Sequence, residues 1–215
     1  MSKQKVSNIA YDFLFNAIIT HQLKPGQAII EQNISDLLGL SRTPIREALK
    51  ALEMEGLVNC IPSKGSFVKE ISEQDVEEIF EIRVMFELKA LRSAIGSITN
   101  DELEKIEFML NMANESADNK EYYESDRFLH NMLMKYSKNS IMHKFYSNIE
   151  GQFERFRIVS AMAPERLIQS KAEHMELLYA LKKRDVTEAE EKLLHHLNNV
   201  KANSLKVCQK LRFGL

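Results

Sequence analysis

From Ser72 onward the chain holds a single proline, Pro164, and three glycines, Gly96, Gly151 and Gly214. Proline and glycine oppose helix more strongly than any other residue, so a stretch this long with so few of them is confined largely to helix. Six helices are expected, at about 73–95, 100–117, 120–137, 139–160, 165–183 and 186–210. The breaks fall at Gly96, Asp118-Asn119, Lys138-Asn139, Pro164 and Arg184-Asp185. In the first of these helices Phe80, Val84, Leu88 and Leu91 make one apolar side, and Ile79, Phe86 and Ala90 another. With 44% hydrophobic and 28% charged residues, the composition is that of a folded globular chain.

The first 71 residues read differently. Ile9, Phe13, Ala17 and their neighbours recur at helical spacing up to the turn Lys24-Pro25-Gly26, and Ile30, Ile34, Leu37 and Leu38 make a short second helix closed by Gly39. A third helix opens around Ser41-Arg42-Thr43-Pro44, where either hydroxyl can cap it and proline suits the first turn. Its apolar face is Ile45, Ala48, Leu49 and Leu52, which leaves Arg42, Thr43, Arg46 and Lys50 outside. Leu57–Ile61 and Ser66–Glu70 then read as two strands around the turn Pro62-Ser63-Lys64-Gly65, a wing. The division is therefore 1–71 and 72–215, a small three-helix domain with a wing followed by a helical bundle.

Bulk charge does not announce a nucleic-acid partner. The net charge is −2, with 8 Lys+Arg against 7 Asp+Glu in residues 1–70 and the acidic excess in the remainder. Nucleic-acid binding must be argued from where the cations sit. No signal peptide or membrane span is read at the amino terminus, where Asn8, Asp12 and Asn16 interrupt the apolar residues. Cys60 and Cys208 form no CxxC pair, so neither a disulfide framework nor a zinc finger is indicated, and a reducing cytoplasm fits.

Three short helices with a tight turn before the third, then a hairpin, meet the demands of major-groove reading, in which one helix enters and another braces it. Arginine can donate two hydrogen bonds to a guanine edge, while Thr43 and Lys50 suit phosphates and Lys64 can reach the adjacent backbone or minor groove. An ordinary solvated face, with Glu47 pairing locally, would look the same in an isolated helix. The run LSRTPIREALKALEMEGLV followed by PSKGSFV, however, resembles the GntR family of transcriptional regulators across residues 11–69. The resemblance implies a winged helix-turn-helix bound to double-stranded operator DNA as a homodimer. It also implies DNA contacts by Arg42, Thr43 and Arg46 from the third helix and by Lys64 and Gly65 from the wing. Gln32 stands where some members carry a DNA-contacting arginine, which removes that contact.

In the second half the histidines are ordered by helical face. Asp126 and His130 are four apart on the side of Leu133, His174 shares a face with Leu177, Leu178 and Leu181, and His196 with Leu193, Leu197 and Val200. His195, flanked at four residues by Glu191 and Asn199, points to water. Any one inward histidine can be a satisfied core residue. Three of them with a carboxylate suit a divalent-metal site with open positions, because burying all four separately is costly unless they share a partner.

The same residues, as Asp126-Arg-Phe-Leu-His130, Glu173-His174 and His196-Leu197, resemble the metal-binding pattern of the FCD ligand-binding domain of the FadR subfamily, over about residues 75–205. The resemblance implies an all-helical effector-binding and dimerisation domain, with six helices suiting the VanR-like branch. It implies a divalent ion (zinc, nickel or manganese) and a small carboxylate or hydroxy acid as effector, and argues against a fatty acyl ligand. Arg83 can meet an effector carboxylate or pair with Glu87 at i+4, and Ser170, four before His174, can hydrogen bond an effector. Repression relieved by the effector is the family expectation.

Two other functions fit the pattern less well. A metal-dependent enzyme lacks support, because no nucleophile–base pair, phosphate-binding loop or spare acid–base group accompanies the cluster. A bundle that only dimerises, with structural histidines, differs from a sensor in holding no metal.

Overall fold

The structure is a computed structural model that describes residues 3–113, 120–162 and 164–213. It forms two compact units, Met1–Ser72 with Tyr146–Ile158, and Glu73–Phe145 with Val159–Leu215. The expected break at Asp118-Asn119 lies outside the described residues.

In the first unit α1 (Lys3–Ile19), α2 (Glu31–Leu38) and α3 (Arg42–Met54) pack around Leu14, Ile18, Ile34, Ile45, Leu49 and Leu52, all buried. Gly39 adopts φ +64° and donates its backbone N–H to the Ser35 carbonyl, a left-handed cap that turns the chain sharply into α3. Ser41 occupies the cap position of α3 with extended backbone, but its hydroxyl makes no capping bond, and Pro44 lies in the first turn as its missing N–H allows.

The wing has a strand that the sequence did not reveal. Beside β2 (Val58–Ile61) and β3 (Gly65–Val68), β1 (Ala28–Ile29) pairs antiparallel with β3, giving the order β1-β3-β2. Two residues are too few to display alternation. Ile30, expected inside the second helix, is instead its exposed, extended cap residue, and Leu37 is exposed as well. The apolar spacing of that helix is therefore only partly a burial pattern.

The middle of α7 (Ser140–Ala161) completes this unit. Gly151 lies in mid-helix, where glycine costs about 1 kcal/mol relative to alanine. Packing explains it. A Cβ there would stand 3.0 Å from Glu55 Oε2, Leu57 Cδ1 and Phe15 Cε2. Gln152 donates to the Glu55 carbonyl at 2.9 Å and Arg155 to the Lys69 carbonyl at 2.7 Å, which holds the two surfaces in register. Gly151→Val should lower stability by about 1–3 kcal/mol through overpacking. Urea unfolding checks this, and an unchanged midpoint would contradict the packing role.

The second unit is all helix: α4 (Glu73–Ala94), α5 (Asn100–Met112), α6 (Lys120–Lys135), α8 (Pro164–Lys183), α9 (Val186–Phe213) and the ends of α7. Thr99 and Glu102 form a reciprocal capping box at the start of α5, and the Asn139 side chain caps α7. Helices α4, α6, α8 and α9 pack on one another, which brings residues far apart in sequence to one interior.

On α4 the buried stripe is Val76, Phe80, Arg83, Glu87, Ala90, Leu91 and Ala94, with an ion pair at its centre. Val84 and Leu88, expected on the Phe80 side, are only half buried, and Arg83 and Glu87 are buried in the stripe with Phe80. Charged residues in core positions mislead a reading that looks for apolar periodicity.

Candidate DNA-reading face and metal centre

Helix α3 presents the residues that its spacing left outside. Pro44, Ile45, Ala48, Leu49 and Leu52 are buried, whereas Arg42, Thr43, Arg46 and Lys50 are exposed along one side. Arg42 Nε donates to Gln32 Oε1 at 2.9 Å, with Nη2 on the same oxygen, and Gln32 Nε2 in turn donates to Asp36. Arg46 Nε lies 2.8 Å and 3.0 Å from the two Glu31 oxygens. Gln32, which cannot supply a cation, thus tethers one. Exposed pairs of this kind are worth about 0–1 kcal/mol, so they orient the arginines on α2 without preventing release to a base edge or phosphate. Lys64 and Gly65 are exposed at the turn of the wing, where Ser63 has φ +63° and Gly65 φ +104°.

The second unit buries an unusual set of groups. Asp126 and His130 on α6, His174 on α8 and His196 on α9 are all buried, and one ligating atom from each lies within 4.8 Å of the others. His174 Nε2 is 3.2 Å from His196 Nε2 and 3.3 Å from Asp126 Oδ1, and His130 Nε2 is 3.7 Å from Asp126 Oδ1. His195 is exposed, as its flanks implied.

The far sides of two rings are held. His130 Nδ1 lies 2.5 Å from Glu87 Oε2, while Arg83 Nε donates to Glu87 Oε1 at 2.7 Å. His196 Nδ1 lies 2.8 Å from Glu173 Oε2, and Arg166 holds both oxygens of Glu173 at 2.9 Å and 2.6 Å. An ionised carboxylate only accepts, so a neutral ring at either place donates from Nδ1 and turns the lone pair of Nε2 toward the centre. Burial alone would raise the Glu87 carboxyl, but the Arg83 guanidinium and His130 outweigh it and hold it below the usual carboxylate range. Burial, then His174 and His130, holds His196 well below its ordinary value, which keeps it neutral as a metal requires.

This donor set fits a divalent ion. His130 Nε2 is buried and makes no hydrogen bond among the described residues, an orphan that a metal would satisfy. Three imidazole nitrogens and one carboxylate oxygen suit a first-row divalent cation, with further positions open on a metal that takes five or six ligands.

Arg83 is buried with its Nε on Glu87 and its guanidinium carbon 5.7 Å from the Phe80 ring centre. It therefore makes the i+4 pair, one of the two roles its position allows, and supports His130 through it. Ser170 is buried and accepts a hydrogen bond from Tyr122, whose ring stacks on His174 at 6.1 Å. Tyr122, Glu87 as a partner of His130, and Arg166 escaped the sequence reading. Only the i+4 spacing of Arg83 and Glu87 hinted at any of them.

Comparison with known proteins decides the family. The profile of bacterial regulatory proteins of the gntR family matches residues 7–68, and that of the FCD domain matches residues 78–199. The chain belongs to the GntR family and carries an FCD domain. It is a DNA-binding transcriptional regulator, not an enzyme. Among its relatives are the HTH-type transcriptional regulator YdhC of Bacillus subtilis, 26% identical over 88% of this chain and 86% of that one, and the HTH-type transcriptional repressor RspR of Escherichia coli. RspR is 26% identical over 96% of this chain and 92% of its own. Escherichia coli McbR shares the fold, with a TM-score of 0.77 and 24% identity over 92% of this chain and 94% of that one. The FCD domain of another transcriptional regulator has been solved with Zn2+ bound; it matches 63% of this chain and 95% of its own length at 28% identity and a TM-score of 0.54. No helix among the described residues is long and apolar enough to cross a membrane.

Proposed function

We propose that this GntR-family regulator is a homodimeric repressor whose grip on operator DNA is set by a small organic acid bound at a metal centre in its FCD domain. One observation carries the reading: four potential ligands from three helices converge, fully buried, within 4.8 Å. Asp126, His130, His174 and His196 would hold the ion, and the Zn2+-bound relative makes zinc the first candidate, with nickel and manganese as the others. The ion would act as a Lewis acid that orders an oxygen ligand.

Charge indicates what that ligand is. Arg83 neutralises Glu87 and Arg166 neutralises Glu173, so the buried centre keeps only the charge of Asp126. A divalent ion would leave it with a net positive charge, which an anion completes at lower cost than a neutral molecule. A small carboxylate or hydroxy acid answers this, with Ser170 and Tyr122 beside His174 to hydrogen bond it and Arg83 close behind His130.

In the DNA-binding unit Arg42, Thr43, Arg46 and Lys50 would enter or flank the major groove, and Lys64 and Gly65 would contact the backbone at the wing. A homodimer would read two such half-sites related by two-fold symmetry. Met85, Phe108, Met112, Ile141 and Phe145 are exposed on the second unit, which supports self-association.

The test is elemental analysis and mass spectrometry of protein purified without chelators or affinity metal. One divalent ion per chain is expected, accompanied by a small acid. Protein that stays metal-free after incubation with zinc, nickel and manganese would contradict the reading.

A further inference from the structure

We infer that Glu87 and Glu173 are positioning residues that set the proton positions of His130 and His196, so that the centre is built to receive a cation before any cation arrives. The inference rests on the reading that the four-residue cluster binds a metal, and it concerns what makes those ligands ready.

The two carboxylates do the same work from different helices. Each is buried, each faces a histidine Nδ1 with one oxygen, and each is backed by a buried arginine: Arg83 on Glu87 and Arg166 on Glu173. An arginine offers donors only, so it fixes the carboxylate as an acceptor without competing for the histidine proton. The proton of each ring is thereby held on Nδ1, on the side away from the centre. Outer partners of this kind orient metal-ligating histidines and raise their basicity.

The geometry also states what happens if one carboxylate becomes an amide. In Glu87→Gln only one oxygen remains for two neighbours. Arg83 cannot accept a hydrogen bond, so the oxygen must face Arg83 and the amide NH2 must face His130 Nδ1. That nitrogen then has to accept, and the ring proton moves to Nε2, directly into the position a metal would occupy. Glu173→Gln is less one-sided. Arg166 donates to both Glu173 oxygens and Asn199 Nδ2 to Oε1, so either orientation of the amide sets its NH2 against an Arg166 donor, and the bond that holds the proton on His196 Nδ1 is weakened whichever oxygen remains. The change in volume is negligible in both, so a loss of metal binding would come from the proton and not from a cavity.

Two measurements test the inference. Long-range 1H–15N correlation spectra of the metal-free wild-type protein report which ring nitrogen carries the proton, and the expected result is Nδ1–H for His130 and His196. This needs neither metal nor mutation, so it decides the inference even if a variant with a buried, uncompensated arginine fails to fold. Zinc affinity is then measured by chelator competition, for each variant that circular dichroism shows to be folded. Glu87→Gln and Glu173→Gln should each weaken zinc by about 10–100-fold, and in Glu87→Gln the ring proton of His130 should move to Nε2. Nε2–H on either ring in the metal-free wild type overturns the inference, and so do folded variants with wild-type zinc affinity and unmoved protons. Wild-type protein that takes up no zinc, with both rings still Nδ1–H, would instead sink the metal reading and leave the proton positions standing.

Discussion

His174→Ala should abolish stoichiometric metal binding and, with it, the response of operator binding to an organic acid, while the protein still folds and still recognises its operator. His174 supplies the ligating atom nearest two others, at 3.2 Å from His196 Nε2 and 3.3 Å from Asp126 Oδ1, so its loss opens the middle of the cluster. The affinity should fall by more than the roughly 10–100-fold that a missing outer partner costs. Removing a buried ring from beside Tyr122 leaves a cavity, and an aromatic truncation in a core costs about 3–5 kcal/mol, so a thermal melt must accompany the titration. His195→Ala is the matching control. His195 is exposed and lies outside the cluster, so that variant should keep one ion per chain. Metal content by mass spectrometry separates the two, and an emptied site in His195→Ala with a filled one in His174→Ala would reverse the assignment.

The Arg42→Ala, Arg46→Ala double variant should lose operator binding by about 2–6 kcal/mol, because a good bidentate arginine contact is worth about 1–3 kcal/mol of discrimination and each variant removes one candidate. Both side chains are exposed and, among the described residues, tethered to Gln32 and Glu31 alone, so unfolding by urea should be unchanged within about 0.5 kcal/mol. Lys50→Ala should behave differently: a phosphate contact weakens all sequences alike and lowers the salt slope by about 1. Fluorescence anisotropy on operator and scrambled duplexes at several salt concentrations distinguishes the cases. Unchanged operator affinity in the double variant would remove α3 as the reading helix.

The parts that were legible in the sequence are those in which chemistry follows helical spacing. Ile45, Ala48, Leu49 and Leu52 announce the buried side of α3, and by subtraction they name the exposed side with Arg42 and Arg46. Asp126, His130, His174 and His196 each share a face with leucine or valine, so their common depth could be read without knowing how the helices pack. What could not be read depends on contacts across the fold. Glu87 reaches His130 over 43 positions and Tyr122 reaches Ser170 over 48, separations at which periodicity carries no information. Arg83 and Glu87 were harder still, because they occupy core positions of α4 that pattern reading assigns to apolar residues. The place of α7 in the first unit followed from no motif. Gly151 stands inside a helix against its own propensity, and only the surface it meets explains it.

On the proposed reading, the charge of the centre ties these pieces to regulation. With each buried glutamate matched by an arginine, the cluster can gain a divalent ion and an anion without stranding a charge. On that reading, an acid bound there would not need to touch DNA to affect it. It would have to bind one arrangement of paired DNA-binding units better than another, and the shift in operator affinity would equal the difference.

The central claim, that the metal centre governs the DNA-reading face, is tested most directly by one set of operator titrations. Metal-loaded wild type and folded His174→Ala are each titrated with operator duplex, with and without the small acid that copurifies with the wild type. The account predicts a wild-type shift of roughly 5–150-fold, corresponding to about 1–3 kcal/mol of coupling, with the acid's own affinity changed by the same factor when operator is present. It predicts no shift in His174→Ala. A shift of wild-type size in the metal-free variant would show that the acid acts elsewhere and that the metal centre does not govern the operator.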